Sequence, residues 1–278
     1  MRVAIGITTY RNPARLVKLL DNMEWAGLPD VPVYVVEDCS PHDDRPVVTL
    51  NYKEVVKRPW ITAFYTTHRW VCMQGSIQHL MEKTNEDWMI YVPDDVAFTK
   101  GGLWNEYAGV LAYGRSYIGG IQAPYWNATD LTSEREAIWD VEFLKTVQQN
   151  KHWNANGLPR KYVNLNGAGF SINRRLWQAM GGWPQCTWRL DEYAGYMAWK
   201  LGYAVITLPG QPRVHYFGGA THMLPQGIPA YHSVEAWQEA TGGKTPEETG
   251  TETYAIMNRI KGDEINEIMR YFDNVGRA

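Results

Sequence analysis

Apolar positions along this chain fall into two alternating rhythms. VAIGI (3–7) is an unbroken apolar run, the pattern of a strand buried on both faces. Asn12-Pro13 then supplies a helix cap and a first-turn proline. Leu16, Leu19, Leu20 and Met23 follow at i, i+3, i+4 and i+7, the stripe of an amphipathic helix. Leu28-Pro29-Asp30 breaks the chain before a second apolar run, VPVYVV (31–36). A strand–helix–strand unit of this kind predicts a parallel sheet with a right-handed crossover.

The rhythm continues. ITAFY (61–65) reads as a strand, and Ser76 as the cap of a helix carrying Ile77, Leu80 and Met81. WMIYV (88–92) is another buried strand, cut off by Pro93-Asp94-Asp95. The first hundred residues therefore predict a doubly wound, mostly parallel α/β sheet. Ligands in such sheets lie beyond the carboxyl ends of the strands, where Tyr10, Asp38, Asp94 and Asp95 fall. Farther on the pattern predicts a short helix opened by Ser133-x-x-Glu136, a strand at 161–165 and a helix over 173–180. A second helix over 190–201 presents Tyr193, Tyr196, Met197 and Leu201 on one face, and a strand follows at 203–208. The Gly/Thr/Glu-rich stretch 241–251 reads as a linker. A terminal helix then carries Ile265, Ile268, Met269 and Phe272.

Composition narrows the function classes. A net charge of −3 gives no basic footprint, so a large phosphate-rich partner is not implied. The aromatic balance is unusual: 13 Trp and 17 Tyr against 6 Phe. Flat faces with polar edges suit sugar rings and bases, and equally suit cores and interfaces. The three cysteines, Cys39, Cys72 and Cys186, form no CxxC pair, so neither a disulfide framework nor a thiolate zinc site is expected. The opening MRVAIGITTY enters a strand directly, and no apolar stretch approaches the roughly 18–20 residues of a membrane span; a cytoplasmic protein is the expectation.

Three strand-end clusters are candidates for chemistry. Adjacent carboxylates such as Asp94-Asp95 repel one another at the end of a buried strand, unless a divalent cation and a bound diphosphate lie against them. A solvated turn is the alternative. Glu37-Asp38 could accept hydrogen bonds from a base or ribose, or form an ordinary turn with Ser40. Thr8-Thr9-Tyr10-Arg11 brings an aromatic face that could stack on a base.

The order of these segments carries a resemblance. ITTYRNPARLVKLLDNM, VYVVEDCS, QGSIQHLM and WMIYVPDDV in succession resemble the nucleotide-binding half of the GT-A-fold glycosyltransferases, particularly family 2. NGAGFSINRRLWQAMGGW (166–183) and RLDEYAGYMAWKLGYAV (189–205) are similar to that family's Gly-rich strand and its acidic helix ending in Gly-Tyr. The likeness spans about residues 1–220, with a nucleotide-binding half over about 1–100 and an acceptor half over about 101–220. Residues 221–278 are then a C-terminal extension. Two positions depart from the family: Cys39 stands where Gly is usual, and Leu190 where Glu precedes the base.

The resemblance implies a metal-dependent transferase using a nucleoside-diphosphate sugar, UDP-sugar first and GDP-sugar second, with Mn2+ or Mg2+. It assigns Thr8, Tyr10 and Arg11 to the donor, Glu37 and Asp38 to base or ribose, Asp94 to ribose and Asp95 to the metal. Asp191 would be the general base of an inverting reaction, with Glu192 the alternative. His215 would be a further metal ligand, or else a core or surface histidine, and His222 is a second candidate. Trp177, Trp183, Trp188 and Trp199 surround this region, as acceptor platforms or as core. Polysaccharide, lipid-linked glycan, protein, small metabolite and nucleic-acid base all remain as acceptors. Two other readings compete: a sugar nucleotidyltransferase, whose Gly-rich basic loop ITTYRNP lacks, and a catalytically inactive carbohydrate-binding relative. A dehydrogenase is disfavoured because no GxGxxG follows the first strand.

Overall fold

The computed structural model describes residues 1–39, 45–67, 71–115, 118–122, 125–127, 137–149, 160–161, 165–184, 190–208, 213–216 and 234–259. The predicted rhythm appears as β1 (Val3–Thr9), α1 (Pro13–Ala26), β2 (Val33–Glu37), α2 (Arg45–Val56), β3 (Ala63–Thr66), α3 (Cys72–Lys83) and β4 (Trp88–Pro93). These four strands are parallel in the order β3-β2-β1-β4, with Ile5 opposite Val33 on one side and Ile90 on the other. Beyond β4 the sheet continues as β9 (Phe170–Asn173), β6 (Ile118–Gln122), β10 (Ala204–Thr207) and β8 (Arg160–Lys161). β9 runs antiparallel between β4 and β6, so the parallel order is interrupted once in mid-sheet.

Alternation along the strands divides the core. Val3, Ile5 and Ile7 of β1 and Trp88, Ile90 and Val92 of β4 pack with Leu16, Leu19 and Leu20 of α1 on one face. There they also meet Leu103 and Val110 of α4 (Gly102–Tyr113). Met89 and Tyr91 of β4 face the other way, onto Ile77, Leu80 and Met81 of α3 and Leu176 of α6 (Arg174–Ala179). All seven residues of β1 are buried, and each large apolar side chain so covered contributes roughly 1.5–3 kcal/mol.

A second, three-stranded sheet sits over the end of the first. β5 (Val96–Phe98) pairs antiparallel with β11 (Arg213–His215), which pairs in parallel with β7 (Tyr125–Asn127). Its core, Ala97, Val214 and Tyr216, packs on Ile138 of a 3-10 turn (Ala137–Trp139) and on Leu144 and Val147 of α5 (Val141–Gln149).

Several sequence expectations are corrected. α3 begins at Cys72, so Ser76 lies buried within the helix rather than capping it. The stretch read as a linker holds the end of α8 (Val234–Thr241) and the start of α9 (Pro246–Arg259). Thr245 and Glu248 close a capping box there, with N–H bonds of 2.7 and 3.2 Å, and this local signal outweighs the Gly/Thr composition. α9 packs against α7 (Leu190–Lys200), where Tyr196 donates to Glu252 at 3.0 Å. The strand expected over 161–165 is described only at β8. The helices expected near 133 and 265 lie outside the described residues. No helix among the described residues is long and apolar enough to cross a membrane.

Candidate functional site

The carboxyl ends of β1, β2 and β4 converge because the three strands are in register, and they set the polar residues of the site side by side. Asp38 continues the ladder beyond β2, donating its N–H to the Thr9 carbonyl at 2.9 Å. Its carboxylate, almost fully buried, accepts from the Thr67 hydroxyl at 3.1 Å and the Val71 N–H at 2.8 Å, tying the starts of β2's loop and α3 together. Tyr10 is half-buried at the exit of β1, with the Arg11 guanidinium 5.5 Å from its ring centre.

Two of the expected donor contacts sit differently. Glu37 is fully buried, and its oxygens accept from the Arg11 N–H at 2.7 Å and from Asn51. Arg11 has φ +49°, an uncommon conformation for a residue with a side chain, so Glu37 holds the turn out of β1 rather than facing the cleft. Thr8 is likewise turned inward, 3.1 Å from the Tyr91 hydroxyl. Successive strand residues face opposite sides, so Thr9, not Thr8, reaches the acidic turn, donating to Asp94 Oδ2 at 2.8 Å.

That turn joins β4 to β5. Asp94 is also 3.9 Å from the Arg15 guanidinium. Burial, and then the neighbouring charge of Asp95, push its carboxyl up to about 7, against the pull of Arg15 and the Thr9 hydroxyl. Asp95 is held by its backbone, whose carbonyl accepts the Tyr216 N–H at 2.8 Å. The β5–β11 ladder places His215 opposite Val96, and His215 Nε2 lies 3.5 Å from Asp95 Oδ2. Among the described residues, Asp95 Oδ1 is buried with no hydrogen-bond partner.

Among the described residues no three His, Cys, Asp or Glu side chains form a complete metal cage. The donors present still suit a divalent cation that shares its shell with a substrate. One carboxylate and one imidazole converge, the carboxylate keeps an oxygen in need of a partner, and Mn2+ or Mg2+ takes its remaining ligands from phosphate and water. His222 lies outside the described residues.

Asp191 opens α7, where the partial positive charge of a helix start favours a carboxylate. Its oxygens accept from the Gly167 N–H at 2.9 Å and the Glu192 N–H at 3.1 Å. Arg213 connects this loop to β4 and α4. Its side chain is fully buried and donates to the carbonyls of Tyr91 at 2.8 Å and Ala168 at 3.3 Å, with two bonds of 2.5 Å to Glu106 on α4. Nothing in the local sequence around Arg213 or Glu106 announces this pair. Of the four tryptophans, Trp183 and Trp199 are buried core residues, Trp177 packs against the same core, and Trp188 lies outside the described residues.

The raised Asp94 pKa has a sign that can be tested. A carboxyl held above its unfolded value contributes stability that is complete below pH 4 and is lost as pH rises towards 7. In metal-free protein, Asp94→Asn is therefore expected to gain on the wild type between pH 4 and pH 8, by up to about 4 kcal/mol in urea unfolding. A constant difference across that range would show that the strand-end field does not act on Asp94.

No protein-family model matches the chain, and no curated protein matches it by sequence. Solved structures do match in three dimensions. The mannosyltransferase PcManGT of Pyrobaculum calidifontis, in complex with GDP-Man and Mn2+, superposes with a TM-score of 0.58 at 14% identity, over 100% of this chain and 81% of that one. S. aureus TarS 1-349 with UDP-GlcNAc gives 0.60 at 12% identity, over 99% and 72%. GalNAc-T7 with UDP, GalNAc and Mn2+ gives 0.57 at 11% identity, over 93% and 57%. At such identities the likeness establishes architecture, and that architecture is the GT-A glycosyltransferase fold.

Proposed function

We propose that this chain is a metal-dependent glycosyltransferase that moves a sugar from a nucleoside-diphosphate sugar to an acceptor hydroxyl, with inversion at the anomeric carbon. The observation that carries the reading is the meeting of Asp95 and His215 at the end of β4, with a buried carboxylate oxygen lacking a partner. The GDP-Man, UDP-GlcNAc and Mn2+ in the similar structures support a donor and a cation of the same classes here.

Asp95 and His215 would hold the cation, and Asp94, oriented by Thr9, would face the ribose. A bound Mn2+ or Mg2+ supplies Lewis-acid stabilisation of the departing diphosphate. Tyr10 offers the base a stacking face, and Asp38 an acceptor for base or ribose. Asp191 takes the proton of the attacking hydroxyl, its carboxylate held in place by the N–H groups of Gly167 and Glu192.

A thermal-shift panel of UDP- and GDP-sugars with and without Mn2+ tests this. One donor is expected to raise the melting temperature only when Mn2+ is present, by the equivalent of about 2.7 kcal/mol at a hundred times its Kd. Asp95→Asn is expected to remove the Mn2+-dependent part. Indifference of the wild type to every diphosphate sugar, with Mn2+ present, would refute the reading.

A further inference from the structure

Arg15 stands on the first turns of α1, facing the acidic turn. Its side chain is only 15% exposed, and it lies 3.9 Å from Asp94, near enough for charge attraction but too far for a hydrogen bond. Its guanidinium rests over the Tyr216 ring, 5.3 Å from the centre. Among the described residues none of its five N–H donors has a hydrogen-bond acceptor. Two further polar atoms nearby share this state. Asp95 Oδ1 and the indole Nε1 of Trp139 are both buried without a partner, and Trp139 packs on Tyr216 at 6.1 Å. Largely buried polar groups are rarely left so, and several in one place mark where a ligand completes them.

We infer that Arg15 is a ligand of the donor's β-phosphate, a fixed cation standing beside the pair that would hold the metal. The inference rests on the transferase reading above. A planar guanidinium suits phosphate oxygens, and an aromatic platform holds it in place without using any of its donors. Tyr216 directly follows His215, so β11 sets the platform for Arg15 and the imidazole together. The charges call for such a group. Asp94 and Asp95 together offset a divalent cation. When the anomeric C–O bond breaks, its electron pair goes to the β-phosphate oxygen and the leaving diphosphate gains one negative charge, which Arg15 faces.

Calorimetric titration of wild type, Arg15→Gln and Arg15→Lys with UDP, UMP, GDP and GMP, each with Mn2+, separates the outcomes. For the base that the wild type binds, Arg15→Gln is expected to weaken the diphosphate about tenfold to a hundredfold and the monophosphate by less than twofold. Arg15→Lys should recover part of the loss. An unchanged ratio of diphosphate to monophosphate affinity in a folded Arg15→Gln protein overturns the inference and leaves the transferase reading standing. Equal weakening of both nucleotides overturns it too, because Arg15 then supports only the fold. If the wild type binds neither UDP nor GDP, the transferase reading fails and takes this inference with it.

Discussion

Asp191→Asn is expected to lower the transfer rate by about 10²–10⁴-fold while leaving Mn2+-dependent binding of the nucleoside diphosphate within twofold. The amide keeps the shape of the carboxylate and one oxygen for the Gly167 N–H, giving up only the longer bond from the Glu192 N–H, so the loop stays in place. What disappears is the ability to take a proton. Glu192→Gln changes nothing in that bond and is expected to cost little. The two variants, compared in single-turnover transfer and in nucleotide titration, distinguish base from scaffold. Full activity in Asp191→Asn with loss in Glu192→Gln would move the base by one residue. Loss of nucleotide binding in Asp191→Asn would make the aspartate part of the donor site instead.

Gly169→Ala is expected to destabilise the fold by about 3–5 kcal/mol, with a fall in melting temperature near 10 °C or more. Gly169 has φ +136°, and a Cβ there would collide with Nη1 and Cζ of Arg213. Arg213 cannot yield cheaply. It has no exposed surface, it is locked to Glu106, and its displacement would leave both charges buried and unpaired. The same mechanism predicts strong coupling. In an Arg213→Met background, where the guanidinium is gone, Gly169→Ala should add much less than it costs alone. Purely additive losses in a double-mutant cycle would show that the glycine is required by its backbone angle and not by the arginine.

These two predictions also show what could be read in advance. Strand ends are legible: an apolar run cut off by Pro93-Asp94-Asp95 or by Glu37-Asp38 announces both the strand and the polar group beyond it. In the structure β1 lies in register between β2 and β4, and His215 Nε2 lies 3.5 Å from Asp95 Oδ2. Facing is harder to read. Thr8 and Thr9 are chemically identical, and only the phase of the pleat decides that Thr9 meets Asp94 while Thr8 meets Tyr91. Glu37 and Asp38 divide in the same way, one supporting a turn and the other tying α3 to the sheet. Arg15 carries no signal in the sequence, because a helix-surface cation is ordinary until its neighbours are known. Arg213 was unreadable, since its meaning depends on a carbonyl 122 positions upstream and a carboxylate in another helix. Segment 241–251 misled by composition, although its Thr245-x-x-Glu248 box was present in plain view.

The pairing of β5 with β11 has a bearing on biosynthesis. β5, next to Asp95, is made early, but β11, which carries His215 and Arg213, is made only after the long intervening stretch. Closing so long a segment is entropically costly, and until it closes the acidic turn lacks the Tyr216 N–H and the His215 imidazole that meet Asp95 in the fold. A nascent chain halted before β11 would therefore lack the Asp95–His215 pair on which the proposed cation site rests.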